Sequence, residues 1–239
     1  MSKVARTVAL RVVALSALLS SPAWAQVGHD PAHSPYRPLL LRTGIAAIGA
    51  ITGGSAGRLG VGPNDGPGFG VRFETKLTGP TDAFATVTWN RLERMVADPA
   101  AVAEPRITGL VKQPVLQTDV GLAILLSGDK TWHGFVPYLG GFLGVAWGSA
   151  VPQDSSGYNF KRKFVSGPLL GFRVYFGQRL SFRSEGRLQF WKLSYPSSFF
   201  LPPPTASNVD PLLNSATTST SEWTAHPTLL VGLGYSFRF

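Results

Sequence analysis

The stretch Leu230-Val-Gly-Leu-Gly-Tyr-Ser-Phe-Arg-Phe239 alternates strictly between two kinds of side chain. Large apolar and aromatic residues occupy one face, and small or polar residues occupy the other. Successive side chains of a strand point to opposite faces, so a period of two predicts a β-strand here. The first face holds Val231, Leu233, Tyr235, Phe237 and Phe239, and the second holds Gly232, Gly234, Ser236 and Arg238. A strand of this composition is unusual in a soluble protein.

Seven more segments upstream have the composition of strands, which gives about eight, the minimum for a transmembrane barrel. Between them, Gly, Pro, Asn, Asp and Ser supply turns. The facing of the first and fifth segments is undetermined, and the first could continue past a bulge at Gly53 and Gly54 into residues 58–62. The predicted strands are residues 41–52, 68–78, 83–96, 115–126, 133–148, 164–176, 180–195 and 223–239.

The connections between these segments alternate in length. Short turns follow the second, fourth and sixth strands, and longer segments follow the first, third, fifth and seventh. Outer-membrane barrels have short periplasmic turns and longer extracellular loops. We therefore predict an all-β, antiparallel, up-and-down transmembrane barrel with both termini in the periplasm.

The beginning of the chain predicts export. Lys3, Arg6 and Arg11 precede an apolar run over residues 12–19, and Ala23-Trp24-Ala25 matches a signal-peptidase site. The apolar run is shorter than the roughly 20 residues that span a bilayer as a helix. We expect a signal peptide over residues 1–25, cleaved before Gln26. A periplasmic lead-in over residues 26–40 and an outer-membrane barrel over residues 41–239 would follow.

Composition excludes several function classes. The chain of 239 residues has no Cys, which excludes disulfides and thiolate chemistry. Three of its 22 basic residues and none of its 13 acidic ones lie in the signal peptide, which leaves a net charge of +6 after cleavage. Because the chain is exported and its basic residues are scattered, we expect no nucleic-acid partner. His29 and His33 are interpreted as solvated histidines rather than metal ligands, since prolines interrupt that segment.

These features resemble small eight-stranded outer-membrane barrels of the OmpX, OmpW and opacity-protein type, and the membrane domain of OmpA. The resemblance covers nearly all of the exported chain as architecture. Its specific motifs are the signal peptide and the terminal aromatics Tyr235, Phe237 and Phe239, which the barrel-assembly machinery would read. The resemblance implies a bacterial outer-membrane location and contact with lipid and lipopolysaccharide. The sequence departs from full-length OmpA, since we expect no peptidoglycan-binding domain after the barrel. We expect a monomer without cofactor or metal.

Charged residues on the inward faces predict a polar interior. A barrel of about eight strands has a lumen that side chains can fill, and buried charges are costly unless they are paired. We therefore expect a salt-bridge network and no wide pore. The predicted members of this network are Arg72, Glu74, Lys76, Asp119, Arg173, Arg183, Glu185, Arg187 and Arg238. The alternative is a narrow solute path, which the excess of arginine would make anion-preferring.

Aromatic and basic residues near the strand ends predict contacts with the membrane. Tryptophan favours membrane interfaces; the predicted topology puts Trp89, Trp147, Trp191 and Trp223 toward the outer rim and Trp132 toward the inner rim. Lys161, Arg162 and Lys163 could bind lipopolysaccharide phosphates, although a solvated charge run is the more common meaning of such a cluster. The segment 196–222 could be an adhesive loop or, given its Pro/Ser/Thr content, a disordered one.

Two other classes remain as alternatives. Some small outer-membrane barrels modify lipids, and His226 lies near Ser219, Ser221 and Glu222 in sequence. No motif of nucleophile, base and acid supports that chemistry, so we predict no catalytic residues. A soluble periplasmic barrel with its apolar face inward, as in lipocalins, would show the same alternation. The terminal aromatics, tryptophan positions and loop rhythm favour the membrane.

Overall fold

The structure is a computed structural model that describes residues 34–104, 106–152, 154, 156–214 and 218–238. The predicted signal peptide over residues 1–25, together with His29, His33 and Phe239, lies outside these ranges. Within them the chain is almost entirely β-strand. The strands are β1 (Tyr36–Pro38), β2 (Thr43–Thr52), β3 (Gly66–Thr78), β4 (Thr81–Ala97), β5 (Ile107–Leu125), β6 (Lys130–Trp132), β7 (Phe135–Gly148), β8 (Arg162–Phe176), β9 (Leu180–Ser194) and β10 (Ser221–Phe237).

Eight of these strands close into an antiparallel barrel. Each of β2, β3, β4, β5, β7, β8, β9 and β10 pairs with the next, and β10 pairs with β2 to complete the ring. The closing ladder runs from Thr228 opposite Thr52 to Phe237 opposite Thr43. Every strand of the ring therefore has a hydrogen-bonded neighbour on both sides, which removes the exposed edges of an open sheet. The all-β, up-and-down barrel of eight strands is confirmed.

Two short strands lie outside the ring. Tyr36–Pro38 pairs with Lys130–Trp132 in an antiparallel ladder, and Leu39 N–H donates to the carbonyl of Asp129. Part of the predicted lead-in over residues 26–40 thus adds a strand to the turn between β5 and β7. The predicted fifth strand, 133–148, is correspondingly shorter, because His133 and Gly134 adopt positive φ and form a turn before Phe135.

Three predicted boundaries are wrong for identifiable reasons. The first strand stops at Thr52 and does not continue into residues 58–62, which form a loop. The second strand begins at Gly66 rather than at residue 68, directly after that loop. The fourth strand begins at Ile107 rather than Val115, because its N-terminal half pairs with β4 from Ala97 to Arg91. Pairing with the long strand β4 extends this strand over residues whose own sequence shows no clear alternation.

The two faces of the barrel differ in chemistry. Along β4, Asp82, Phe84, Thr86, Thr88 and Asn90 point inward and are buried. The intervening side chains point outward, as do the exposed apolar residues of the other strands. No helix in the described ranges is long and apolar enough to cross a membrane. The polar face lies inside and the apolar face outside, which is the reverse of a lipocalin-like barrel.

The connections divide the barrel into two ends. Short turns join β3 to β4 and β8 to β9, and the turn joining β5 to β7 carries β6. Long loops join β2 to β3, β4 to β5, β7 to β8 and β9 to β10. We call these the short-turn end and the long-loop end. The alternation of long and short connections is therefore confirmed.

Neighbouring glycines on β7 make a test of how tightly the ring is packed. A Cβ added at Gly140 would lie 2.0 Å from the carbonyl oxygen of Leu122 on β5, whereas one at Gly141 would lie 3.6 Å from its nearest contact. Backbone cannot move aside without breaking the β5–β7 ladder. We expect Gly140→Ala to lower the yield of folded barrel severely and Gly141→Ala to fold like the wild type. The heat-modifiable shift on a cold gel measures this, and equal folding of the two variants would contradict it.

Candidate functional site

Strand β9 carries a gradient of chemistry along its inward face. From the short-turn end, its inward residues include Arg183, Glu185 and Arg187, then Gln189, and then Trp191. All five are buried. The gradient is shared by the neighbouring strands and divides the lumen into an ionic layer near the short turns and an aromatic layer under the long loops.

Glu185 is the acceptor at the centre of the ionic layer. Its carboxylate accepts from Arg72 Nη1 at 3.0 and 2.8 Å and from Arg187 Nε at 2.6 Å. Tyr138 Oη donates a further hydrogen bond to it at 2.9 Å. Charge-assisted hydrogen bonds of this kind are stronger than neutral ones. A single buried carboxylate therefore joins β9 to β3 and β7.

A second cluster lies nearer the short turns. Arg173 Nη2 donates to Asp82 Oδ2 at 2.8 Å, and its Nη1 lies 3.2 Å from Glu74 Oε1. Arg183 Nη2 lies 2.6 Å from Glu74 Oε2. Arg42 Nε donates to Asp82 Oδ1 at 2.9 Å and its Nη1 to the carbonyl of Gly79 at 2.6 Å. The segment just before β2 is thereby anchored to the inner end of β4.

Asp119 on β5 completes the layer on the opposite side. It accepts from Arg187 Nη1 at 3.1 and 3.0 Å, and Gln117 donates to it at 3.1 Å. The guanidinium of Arg72 lies over the ring of Phe84, 3.6 Å from its centroid. An aromatic face attracts a cation, especially one removed from water. Arg72, Arg173 and Arg187 each lie over an aromatic ring in addition to their ion pairs.

These pairs cross the lumen rather than follow its wall. Around the ring, β3 and β9 are three strands apart, as are β4 and β8, and β5 and β9; Arg173 on β8 and Glu74 on β3 are four apart. Five buried arginines (Arg42, Arg72, Arg173, Arg183, Arg187) face four buried carboxylates (Glu74, Asp82, Asp119, Glu185). Asp129, half-exposed at the short-turn rim, pairs with Arg42. The network is therefore close to neutral and fills the cross-section of the lumen.

The structure buries seven of the nine residues predicted for the interior, and the other two are corrections. Lys76 is exposed at the short-turn rim, where it pairs with Asp129 at 3.3 Å, because the strand leaves the lumen before this position. Arg238 follows the last residue of β10 and is exposed. Both lie on the inward parity of their strands but beyond the barrel's interior. The alternation of residues along a strand shows which face a side chain is on, but it does not show how far along the strand the lumen extends.

Three network members were not predicted from sequence. Arg42 was assigned to the start of a strand, Asp82 to a turn, and Tyr138 to a strand of uncertain facing. Asp82 could have been found, because extending the inward parity of Thr86 and Thr88 by four residues reaches it. Arg42 could not, since its partners Asp82 and Asp129 are distant in sequence.

One of the predicted interface tryptophans, Trp191, lies inside the barrel in the aromatic layer. Trp191 is 1% exposed and stacks on His226, with ring centroids 4.0 Å apart. It also meets Phe160 edge to face at 5.5 Å. The prediction of Trp191 at the membrane interface is wrong, and its inward parity with Arg187 and Gln189 already indicated this. Trp89, Trp132 and Trp223 are exposed, and Trp147 is partly exposed.

The residues considered for lipid-modifying chemistry are not brought together. His226 is fully buried, and its Nε2 lies 2.8 Å from Thr224 Oγ1. Glu222 instead accepts from Tyr195 Oη and from the backbone N–H of Arg58. Ser219 Oγ accepts from the N–H of Ser221. Among the described residues, no group of three or more His, Cys, Asp or Glu could hold a metal ion.

The terminal strand has the facing that its sequence indicates. Val231, Leu233 and Tyr235 are exposed on the outer surface. Tyr235 Oη accepts a hydrogen bond from Arg179 Nη1 at 2.7 Å, which ties it to the turn between β8 and β9. Phe237 is partly exposed at the end of β10. The expected role of these residues and of Phe239 in assembly stays a prediction.

The four long loops pack on one another above the barrel. A 3₁₀ helix, Ser197–Phe200, inserts Phe199 fully buried into an apolar cluster. This loop cluster contains residues from three of the long connections and from the end of β4: Val61, Ala97, Tyr158, Tyr195, Phe199 and Leu213. The described part of the segment 196–222 is therefore folded rather than a free loop, because partners distant in sequence supply the apolar surface it lacks locally.

Polar contacts fix the same loops. Tyr195 Oη, besides its bond to Glu222, accepts from the N–H of Arg58 at 3.2 Å. Burial and the hydrogen bond to Glu222 raise the pKa of Tyr195, so it stays a donor at neutral pH. Arg94 Nη2 lies 2.6 Å from Asp154 Oδ2, both fully buried. Burial likewise raises the pKa of Tyr158, which lies under the guanidinium of Arg94.

Lys161, Arg162 and Lys163 lie at the long-loop end, where β8 begins. Lys161 and Arg162 are exposed, and the side chain of Lys163 donates to Ser194 Oγ at 3.1 Å. No member of the three has an acidic partner among the ion pairs of the described residues. Their contact with lipopolysaccharide stays a prediction at this point.

Comparison with known proteins identifies the architecture. No protein family and no curated protein matches the sequence. Among solved structures, Neisserial surface protein A is 12% identical with a TM-score of 0.50, over 85% of this chain and 98% of that one. This chain has the fold of small outer-membrane β-barrels. OprG from Pseudomonas aeruginosa (12% identity, 83% and 95% coverage, TM-score 0.46) and Ail from Yersinia pestis (12%, 82% and 99%, 0.38) are also similar.

The network makes a prediction about stability. Glu185→Gln keeps the shape of the side chain but leaves Arg72 without its shortest carboxylate contact and Arg187 with Asp119 alone. Removing one partner of a buried ion pair costs about 3–5 kcal/mol, and we expect a loss of about 3 kcal/mol in the free energy of unfolding. Urea titration of the barrel in lipid vesicles measures this. Lys76→Gln, at an exposed pair, is the control and should change it by less than about 1 kcal/mol; equal effects would contradict a structural network.

The loop cluster makes a second prediction. Phe199→Ala removes a fully buried ring, at a cost of about 3–5 kcal/mol, and should release the segment 196–214 from the other loops. We expect proteinase K to cleave this segment much faster than in the wild type while the barrel stays resistant. Leu201→Ala, two residues away and 59% exposed, is the matched control. Unchanged cleavage of Phe199→Ala would mean that the cluster does not hold the loops.

Proposed function

We propose that this chain is a closed outer-membrane barrel that acts at the bacterial surface through its packed loops and does not form an open pore. The observation that carries the proposal is the ion-pair network, whose members reach across the lumen from strands three or four positions apart. A solute would have to break several buried pairs to pass. The loops above it offer a folded surface for contact with other molecules.

The location follows from the two faces of the barrel. Rows of exposed Leu, Val, Ile and Phe on its outer surface would be unfavourable in water but match hydrocarbon, and a closed ring leaves no backbone group unpaired in lipid. We place the long-loop end outside the cell and the short-turn end in the periplasm. Outer-membrane lipid and lipopolysaccharide would surround the barrel, the assembly machinery would insert it, and it would function as a monomer.

The loop platform supports a surface role. Three connections and the end of β4 contribute to one apolar cluster, and Tyr195, Glu222 and Arg58 add polar contacts between two of these connections. A preorganised surface loses less conformational entropy on binding than free loops do. The exposed residues of segment 196–214, including Leu201, would then form the contact surface.

Two alternatives are weaker. An anion-preferring pore requires a net positive lumen, but the five buried arginines are balanced by four buried carboxylates and by Asp129 at the rim. A lipid-modifying enzyme requires an accessible base, but His226 is fully buried under Trp191. We therefore propose no enzymatic activity.

Single-channel recording tests this proposal. Refolded protein, verified by a heat-modifiable gel shift, is added to a planar bilayer, and we expect insertion without reproducible conductance steps. The triple variant Arg72→Ala/Glu185→Ala/Phe199→Ala keeps the net charge. It removes one ion pair that crosses the lumen and the central ring of the loop cluster. Conductance steps from this variant but not from the wild type would locate the barrier in the ionic layer and the loop cluster. Reproducible anion-selective steps from the wild type would overturn the proposal in favour of the pore.

A further inference from the structure

A groove runs along the outer surface of the barrel over β8, β9, β10 and β2. Its floor is Gly186, which the strand register puts between Leu170 on β8 and Leu229 on β10. A missing side chain in this row leaves a notch between two exposed leucines. Pro168, Leu188 and Pro227 continue the groove toward the long-loop end, and Ile51 and Gly53 flank it beside Leu229 and Pro227; its volume is about 640 Å³.

A group of four cations lies beyond the outer end of this groove. We call Lys161, Arg162, Lys163 and Lys192 the basic rim. The hydrogen bond from Lys163 to Ser194 holds the start of β8 against the end of β9, and Lys192 is two residues from Ser194 on the same face. Trp223, 60% exposed, pairs with Lys192 in the β9–β10 ladder.

Arg162 on β8 and Lys192 on β9 have the same outward parity as Pro168 and Leu188, so these two rim cations lie on the strands of the groove and toward its long-loop end. Lys192 in the rim is four positions after Leu188 in the groove, which corresponds to roughly 13 Å along a strand. A phosphate bound at the rim could therefore continue into an acyl chain that lies in the groove.

We infer that the basic rim and the groove form one binding site for lipopolysaccharide, with the phosphates of its lipid anchor on the rim and one acyl chain in the groove. This rests on the proposed orientation, which puts the long-loop end outside the cell. The lipid facing that end is lipopolysaccharide, whose anchor carries phosphates and several acyl chains. Four clustered cations match multiple phosphates better than the single phosphate of a phospholipid.

The test measures lipid binding to the detergent-solubilised full chain by native mass spectrometry. The probes are bis-phosphorylated lipid A, its dephosphorylated form and phosphatidylglycerol. Arg162→Gln/Lys192→Gln removes two rim charges, and Arg91→Gln/Lys112→Gln removes two exposed charges near the long-loop ends of β4 and β5 as the matched control. Gly186→Leu fills the notch without a backbone clash, since an added Cβ there would lie 4.0 Å from its nearest contact.

The control for Gly186→Leu is Ala85→Leu, which fills a second outward notch between Phe73 and Val120. We expect the wild type to form a one-to-one complex with lipid A. The rim variant should weaken it roughly tenfold, as expected for loss of charge-assisted contacts. Gly186→Leu should weaken binding of both lipid A and its dephosphorylated form, and both controls should bind like the wild type.

Three outcomes would overturn the inference. Equal weakening by the rim variant and its control would show a general charge effect. Unchanged binding in Gly186→Leu would remove the acyl chain from the groove, and equal affinity for phosphatidylglycerol would make the site a phospholipid site. Each variant is first checked by gel shift for folding. A conducting wild type would overturn the proposed function but leave this binding result intact, so the two failures are distinguishable.

Discussion

Closure of the ring between β10 and β2 is the constraint on which the rest of the structure depends. An eight-stranded ring encloses a lumen that side chains can fill, and inward positions recur at every second residue of all eight strands. Whatever faces inward must therefore be satisfied by other inward side chains. The ionic layer meets this demand with arginines long enough to reach carboxylates three or four strands away, and a shorter cation could not bridge the same distance.

Arginine also suits this layer because its guanidinium is planar, always charged and has five donors. Arg187 uses three separate contacts at once, to Glu185, Asp119 and Thr86. Buried ion pairs contribute little net stability by themselves, since desolvation offsets their attraction. Their effect is to make one arrangement of the strands far better than any slipped one, because a shift of one residue would put these charges on the apolar outer face. The network therefore specifies the register of the strands as well as filling the lumen.

The fold was predictable because alternation and loop length are local signals. Strict alternation in β9 and β10 gave strand facing, and the rhythm of long and short connections gave the topology. What local signals cannot give is depth along the barrel, and two of the errors follow from that. Lys76 and Arg238 have inward parity but lie beyond the ends of the lumen, which their sequence does not show. Trp191 is a different error, because its inward parity in β9 was readable from the sequence. Arg42 was missed because its contact with Asp82 joins residues 40 apart in sequence. The packing of segment 196–214 was missed because its apolar partners lie in two other loops and at the end of β4.

The gradient along the inward face of β9 separates two tasks within one barrel. Near the short turns, ion pairs connect the strands. Near the long loops, Trp191, His226 and Phe160 form the aromatic layer, and the loop cluster lies beyond it. An apolar layer tolerates volume-conserving changes far better than a network of paired charges does. Substitutions in the loops therefore leave the ionic layer and the ring intact. The outer end can acquire a new binding surface without loss of the barrel, and this is why specificity is to be sought in the loops and the basic rim rather than in the lumen.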